Sequence, residues 1–298
     1  MEKSKVYFTK DISEEGLIKI YEALNRTLKG KIAIKISTGE MEGHNYLDPN
    51  LIKGLVQKLN GTIVECNTAY PGKRMNSSDH WKTIKAHGFT EIAPCDIMDE
   101  EGEIEIPVHG GEHLQNKNIV GSHIQNYDSM LMLSHFKGHA MGGFGGALKN
   151  MSIGVASSNG KAWIHSVGRT KDTKEMWNLI EDQDGFLESM AEADKAVVEY
   201  FKPENMAYIN VANKISIDCD CDSNPADPEM KDIGIFASID PVALDQCCYD
   251  TIINSNDPGK ESLINRMKEK HAIHTVERAY ELGIGNREYE IINIDGEC

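Results

Sequence analysis

Two histidines and two lysines crowd around two glycine pairs in the run Ser134-His135-Phe136-Lys137-Gly138-His139-Ala140-Met141-Gly142-Gly143-Phe144-Gly145-Gly146-Ala147-Leu148-Lys149-Asn150. A neutral imidazole is a metal ligand or a general base, and a lysine suits an anionic substrate. Paired glycines let backbone N–H groups approach an anion closely, most of all where a helix begins. His135, Lys137 and His139 are therefore the candidate catalytic groups. Gly143, Gly145, Gly146 and Lys149 are candidates for holding the ligand. His135 and His139 would share a face only in a helix, which Gly138 argues against. The competing reading is a tight glycine-rich crossing with surface histidines.

A second pattern is Cys219-Asp220-Cys221-Asp222. Two thiolates at this spacing bind one soft metal or flank an iron–sulfur cluster. Two cysteines do not complete a tetrahedral site, so His135 and His139 would supply the remainder if their strands are adjacent. The metal set is then His135, His139, Cys219 and Cys221, with iron, zinc, nickel or an iron–sulfur cluster as the occupant. Two reduced thiols at a strand end are the alternative. Asp218, Asp220 and Asp222 would suit a hard cation.

The loop Asn67-Thr68-Ala69-Tyr70-Pro71-Gly72-Lys73-Arg74 follows a strand-like run, and Asn67, Thr68 and Arg74 could hold a carboxylate or phosphate. A solvated loop is the equal alternative. Lys161, His165 and Arg169 add further anion contacts downstream. In Ser238-Ile239-Asp240-Pro241-Val242-Ala243-Leu244-Asp245 the structural reading suffices. Asp240 caps a helix, and Asp245 complements a helix dipole. Cys247 and Cys248 read as core residues.

The elements around these groups alternate between strand and helix. Leu17, Ile20, Tyr21, Leu24 and Leu28 predict a helix stopped by Gly30, and residues 31–36 predict a strand. Asp48-Pro49 opens a helix with Leu51, Ile52, Leu55, Val56 and Leu59 on its buried stripe. Residues 62–66 are the next strand. Ser77 or Ser78 caps a helix that reaches His87, with Gly88 past its end. Residues 99–118 are an excursion, with Ile104, Ile106 and Val108 suggesting a β-ribbon. A strand over 128–133 delivers the chain to Ser134-His135. A helix over 185–201, strands at 208–217 and 233–237, and a helix from Asp240-Pro241 to about Ile253 follow. Helices near 258–270 and 273–283 and a strand at 291–294 close the pattern. This is an α/β fold: a mostly parallel sheet with flanking helices, where ligands sit beyond the carboxyl ends of strands. One domain over 1–298 is the simplest division, with a second lobe beginning near 99–118 as the open alternative.

The chain has 298 residues, 40% hydrophobic and 26% charged, with a net charge of −16. That length supports a sizeable core. Acidity repels phosphate backbones and anionic lipid, so neither nucleic acid nor membrane is an expected partner. A small anion, a metal or a second copy of the chain stays open. No run approaches the ~20 apolar residues of a membrane span, and Met1 to Lys10 has no apolar signal region. Seven cysteines, an odd number, do not form a secreted disulfide framework. A cytoplasmic location is expected. Walker A, G-x-S-x-G, H-E-x-x-H and G-x-G-x-x-G motifs are missing from the sequence.

His135 to Asn150, centred on Gly143-Phe144-Gly145-Gly146-Ala147-Leu148-Lys149-Asn150, resembles the signature of domain-of-unknown-function family 362. The Asn67–Tyr70 loop, Cys219-Asp220-Cys221 and the Ser238–Asp245 segment are similar to further segments of that family, in the same order, so the resemblance covers nearly the whole chain. Its members are often labelled iron–sulfur-centre proteins, and many carry an added ferredoxin-like module. This sequence has no closely spaced C-x-x-C repeats of that kind. The architecture also has a more distant likeness to nickel-cofactor lactate racemase relatives, at the level of fold alone. Three functions fit. One is a metal-dependent enzyme acting on a small anion. Another is a non-catalytic carrier of a metal, cluster or cofactor, or an electron-transfer partner. The third is glycine-rich packing around a structural site.

Overall fold

A computed structural model describes residues 3–296. The chain opens on β1 (Ser4–Thr9), to which the sequence expectations assign nothing, and α1 (Glu14–Ala23). The helix expected to reach Leu28 stops at Ala23, because Asn25 takes a positive φ of 48° and turns the chain. Leu28 is buried all the same, from a loop. Next come β2 (Ile32–Lys35), α2 (Pro49–Lys58), β3 (Thr62–Glu65), α3 (Ser77–Ala86), α4 (Phe89–Ile92) and β4 (Cys95–Ile97). Asp48 caps α2 by accepting from the Asn50 N–H, with Pro49 in the first turn, as the sequence predicts. The cap of α3 is Asn76 rather than Ser77 or Ser78: its side-chain oxygen accepts from the Asp79 N–H.

The excursion is an antiparallel ribbon of β5 (Glu103–Pro107) and β6 (Lys117–Gly121), pairing Ile104 with Val120. Then follow β7 (Ser129–His135), a hairpin of β8 (Lys137–His139) and β9 (Gly143–Gly145), α5 (Ala147–Val155), α6 (Ser158–His165) and α7 (Gln183–Phe201). β10 (Met206–Ala212) ends short of the expected Ile217, where Lys214 has a φ of 44°. The Cys219 segment therefore belongs to a loop rather than a strand end. β11 (Gly234–Ser238), α8 (Pro241–Ile253), α9 (Lys260–Glu269), α10 (His274–Glu281) and β12 (Tyr289–Asn293) complete the chain.

Eight strands join in the order β12-β1-β11-β10-β7-β2-β3-β4. All neighbours are parallel except β11, which is antiparallel to both β1 and β10. The mixed α/β class and the mostly parallel sheet hold. Side chains alternate across a strand, so each central strand feeds two cores. Met130 and Met132 of β7 pack on one face with α5, α7 and α8, and Leu131 and Leu133 pack on the other with α1 and α2. The same alternation carries Lys35 to the face of Ala33 and Met130. No described helix is long and apolar enough to cross a membrane.

Candidate functional site

The carboxyl ends of β2, β3 and β7 deliver Lys35, Glu65 and His135 to one cavity of about 180 Å3. The hairpin β8–β9, the start of α5, helix α6 and the Cys219 loop form its remaining walls. Five cationic side chains line it (Lys35, Arg74, Lys137, Lys149 and Lys161) against two carboxylates, Glu65 and Asp220. A cationic interior inside a chain of net charge −16 is a local arrangement that composition conceals.

Both carboxylates are already committed. Asp220 accepts from Lys137 Nζ at 2.7 Å and faces His135 Nδ1 at 2.9 Å. Burial alone would raise its pKa, and the Lys137 and His135 charges overcome that and hold it well below the usual carboxylate range. Glu65 binds Arg74 Nη1 at 3.1 Å and His80 Nε2 at 2.8 Å and accepts from the Thr38 hydroxyl. Burial opposes its ionisation too, and Arg74 and His80 hold it low. Arg74 also donates from Nε to Glu40 at 2.9 Å.

Lys35 and Lys161 differ. Both are buried, at 2% and 6% exposure. Lys35 Nζ donates to the Ile36 carbonyl at 2.5 Å and Asn150 Oδ1 at 3.1 Å, and Lys161 Nζ donates to the Ala156 carbonyl at 2.5 Å. Neither forms an ion pair among the described residues. Burial pushes Lys35 down to about 8, against the pull of Glu65, and lowers Lys161 as well. Lys149 lines the cavity with no hydrogen bond or ion pair to another described residue. Burial, then the charges of Lys137, Lys35 and Arg74, push its amine down to about 7.

Two histidines on the wall hold opposite tautomers. The N–H groups of Met141 and Gly142 donate to His139 Nδ1 at 3.2 and 2.9 Å, so the ring proton sits on Nε2. Burial and the nearby Lys149 charge keep that ring neutral. His165 donates from Nδ1 to the Lys161 carbonyl at 2.7 Å, which leaves its lone pair on Nε2. Burial lowers its pKa to about 4, and its ring stacks on Phe186. The cavity lining therefore offers an N–H donor and a neutral nitrogen acceptor.

The sequence candidates separate in space. His135, Lys137, His139, Gly145, Gly146, Lys149, Thr68, Arg74, Cys219 and Cys221 all line the cavity, whereas Asn67 and Gly143 do not. The Asn67 side chain instead bonds Ser77 and His80. The aligned amides at the start of α5 are also taken: Asp245 accepts from the Ala147 and Leu148 N–H groups, both at 2.9 Å, and from Asn210 at 2.7 Å. Asp245 does complement a helix dipole, but that of α5 rather than of its own helix. Lys35 and Glu65 went unnoticed in sequence. The one available signal was a charged residue inside each strand-like apolar run.

For a metal, His139, Cys219 and Cys221 place one donor atom each within 4.8 Å of one another. His135 stands apart from them: Nδ1 faces Asp220, and Nε2 faces the Asn213 carbonyl at 2.6 Å. Both ring nitrogens are thus engaged within the protein. Cys219 and Cys221 are joined as a disulfide, with Cα atoms 5.1 Å apart, rather than standing as free thiols. Residues two apart in a tight loop bring their sulfurs side by side. Three donors, two of them bonded to each other, do not complete a tetrahedral metal or cluster site. The disulfide also lines an outer cavity with Glu40, Asp218 and Asp222.

Residues 32–250 match the family model described as Domain of unknown function (DUF362). The chain belongs to the DUF362 family. Every residue lining the inner cavity of this DUF362 chain lies inside the matched span. No functionally curated protein matches the chain in sequence. Among solved structures, the lactate racemase apoprotein of Thermoanaerobacterium thermosaccharolyticum is similar at 17% identity and a TM-score of 0.45, over 82% of this chain and 56% of that one. A structural-genomics protein from Thermotoga maritima is similar at 13% identity and a TM-score of 0.39, over 90% of this chain and 58% of that one. The DUF362 chain thus spans somewhat over half the length of each.

Proposed function

We propose that this DUF362 protein binds a small, negatively charged metabolite in the inner cavity. The observation that carries this reading is the pair Lys35 and Lys161, buried charges whose only partners among the described residues are neutral oxygens. A buried cation without a counter-ion is costly, and an anionic ligand removes that cost. The neutral histidines His139 and His165 add a donor and an acceptor for the ligand's polar atoms. Titration calorimetry with phosphate and small carboxylates is the test. One site is expected, and Lys35→Met or Lys161→Met should each weaken it by ~10-fold or more. Absence of binding across the series, or affinity unchanged in both variants, overturns the reading.

A metal-bearing form is the second reading, favoured by the convergence of His139, Cys219 and Cys221. It requires reduction of the disulfide, a fourth donor from the ligand or solvent, and release of His139 Nδ1 from its backbone donors. The protein would then act as a metal-dependent enzyme on the bound anion or as a carrier of the ion. Elemental analysis of tag-free protein, purified with reductant and without oxygen, tests it. Near one equivalent of iron, zinc or nickel, lost in Cys219→Ser, supports the reading. Background metal in both proteins excludes it.

A further inference from the structure

We propose that Lys149 is an amine nucleophile that condenses with the carbonyl group of a small oxo acid whose carboxylate is held by Lys35 and Lys161. This rests on the anion-binding reading and adds the class of ligand and a covalent step. Lys149 stands apart from the other four cations of the cavity. Arg74 is fixed by Glu40 and Glu65, Lys137 by Asp220, Lys35 by Ile36 and Asn150, and Lys161 by Ala156. The Lys149 amine has no such partner among the described residues, so its nitrogen is free to react. It belongs to the third residue of α5, a helix anchored at its start by Asp245, so its backbone is held while its tip is not.

The groups that act electrostatically on it come from several elements. Lys35 acts from β2, Lys137 from β8 and Arg74 from the loop after β3, with Asp220 opposing them. Glu65, the second carboxylate of the cavity, is taken by Arg74 and His80. Burial and this excess of positive charge favour the neutral amine, the reactive form, close to neutral pH. A phosphate would find no use for a neutral amine, whereas a ketone or aldehyde would. In the step, the amine nitrogen attacks the carbonyl carbon and a C–N bond forms. The carbonyl oxygen then leaves as water with the two amine hydrogens, and a C=N bond remains. No oxidant or reductant enters. His139 and His165 line the same cavity, where the His139 Nε2–H can donate a hydrogen bond to the carbonyl oxygen and the His165 Nε2 lone pair can accept one from the departing water.

The test is reductive trapping. The full chain is incubated with pyruvate and cyanoborohydride at neutral pH, and peptides are mapped by mass spectrometry. The expected product is one adduct on the Lys149 peptide, heavier by one pyruvic acid less one oxygen atom and suppressed by excess phosphate. Lys149→Arg keeps the charge and should lower the trapped yield by at least ~10-fold with the circular dichroism spectrum unchanged. Lys149→Met serves as a second variant should the arginine disturb folding. Pyruvate or phosphate binding by calorimetry without an adduct at Lys149 overturns the nucleophile and leaves the anion site standing. Adducts spread over surface lysines, equal in wild type and variant, also overturn it. Neither binding nor adduct removes both readings.

Discussion

Asp220 holds two basic side chains at once, Lys137 and His135, and is itself 3% exposed. Removing its charge would strand Lys137 in a buried site, which typically costs about 3–5 kcal/mol. Asp220→Asn is therefore expected to lower unfolding free energy by that amount in urea titration. A loss below ~1 kcal/mol would mean that the network relaxes without it. The lysines give a pH dependence. Lys149 and Lys35 lose their protons near pH 7 and 8, and a lost proton is a lost positive charge. Anion affinity measured by calorimetry should thus fall as pH rises through this range. Trapping of an oxo acid at Lys149 should rise through pH 7, since the neutral amine reacts. Two profiles of the same sign would contradict the division of roles between holding and reacting lysines.

At the scale of elements, the β8–β9 hairpin and α5 meet through glycines that bring backbone and side chains close. A methyl group at Gly138 would run into the Ile217 carbonyl, and one at Gly146 would lie 2.5 Å from Asp245 Oδ1. The glycine pairs therefore serve packing of the cavity wall as much as ligand approach. Asp245 joins α8 to the start of α5 through two backbone N–H groups. Asp245→Ala would leave both donors buried without partners, at ~1–3 kcal/mol each. Thermal unfolding should show that loss, and anion affinity should drop with it because Lys149 shifts with its helix. Destabilisation with affinity unchanged would show that α5 and the cavity are not coupled.

At the scale of the whole molecule, a closed disulfide between Cys219 and Cys221 separates the cationic inner cavity from an acidic outer one. In oxidised protein, peptide mapping after alkylation should show these two cysteines modified only after reductant is added. Modification without reductant would restore two free thiols at this loop and raise the weight of the metal reading. The fold itself was largely legible in sequence. The Asp48-Pro49 and Asp240-Pro241 starts, the ribbon at 103–121 and the strand leading to His135 all stand where pattern and capping chemistry place them. The boundaries that moved, at Ala23 and Ala212, lie at turns where Asn25 and Lys214 adopt positive φ, a conformation that side-chain periodicity does not report.

Sequence by itself determined the α/β class, because hydrophobic period and local turn chemistry act over a few residues, and its motifs determined the family and a glycine-rich stretch that lines the cavity. Only the tertiary structure decided which groups meet. Lys35 lies in an apolar run, Glu65 at a strand end and Asp245 on a distant helix, and nothing local shows that the first two face one cavity while the third covers the amides of α5. The same holds for His135, which faces Asp220 rather than joining His139 and the two cysteines. Charge pairing in a buried site depends on distances across strands far apart in sequence, and those distances exist only once the sheet has formed.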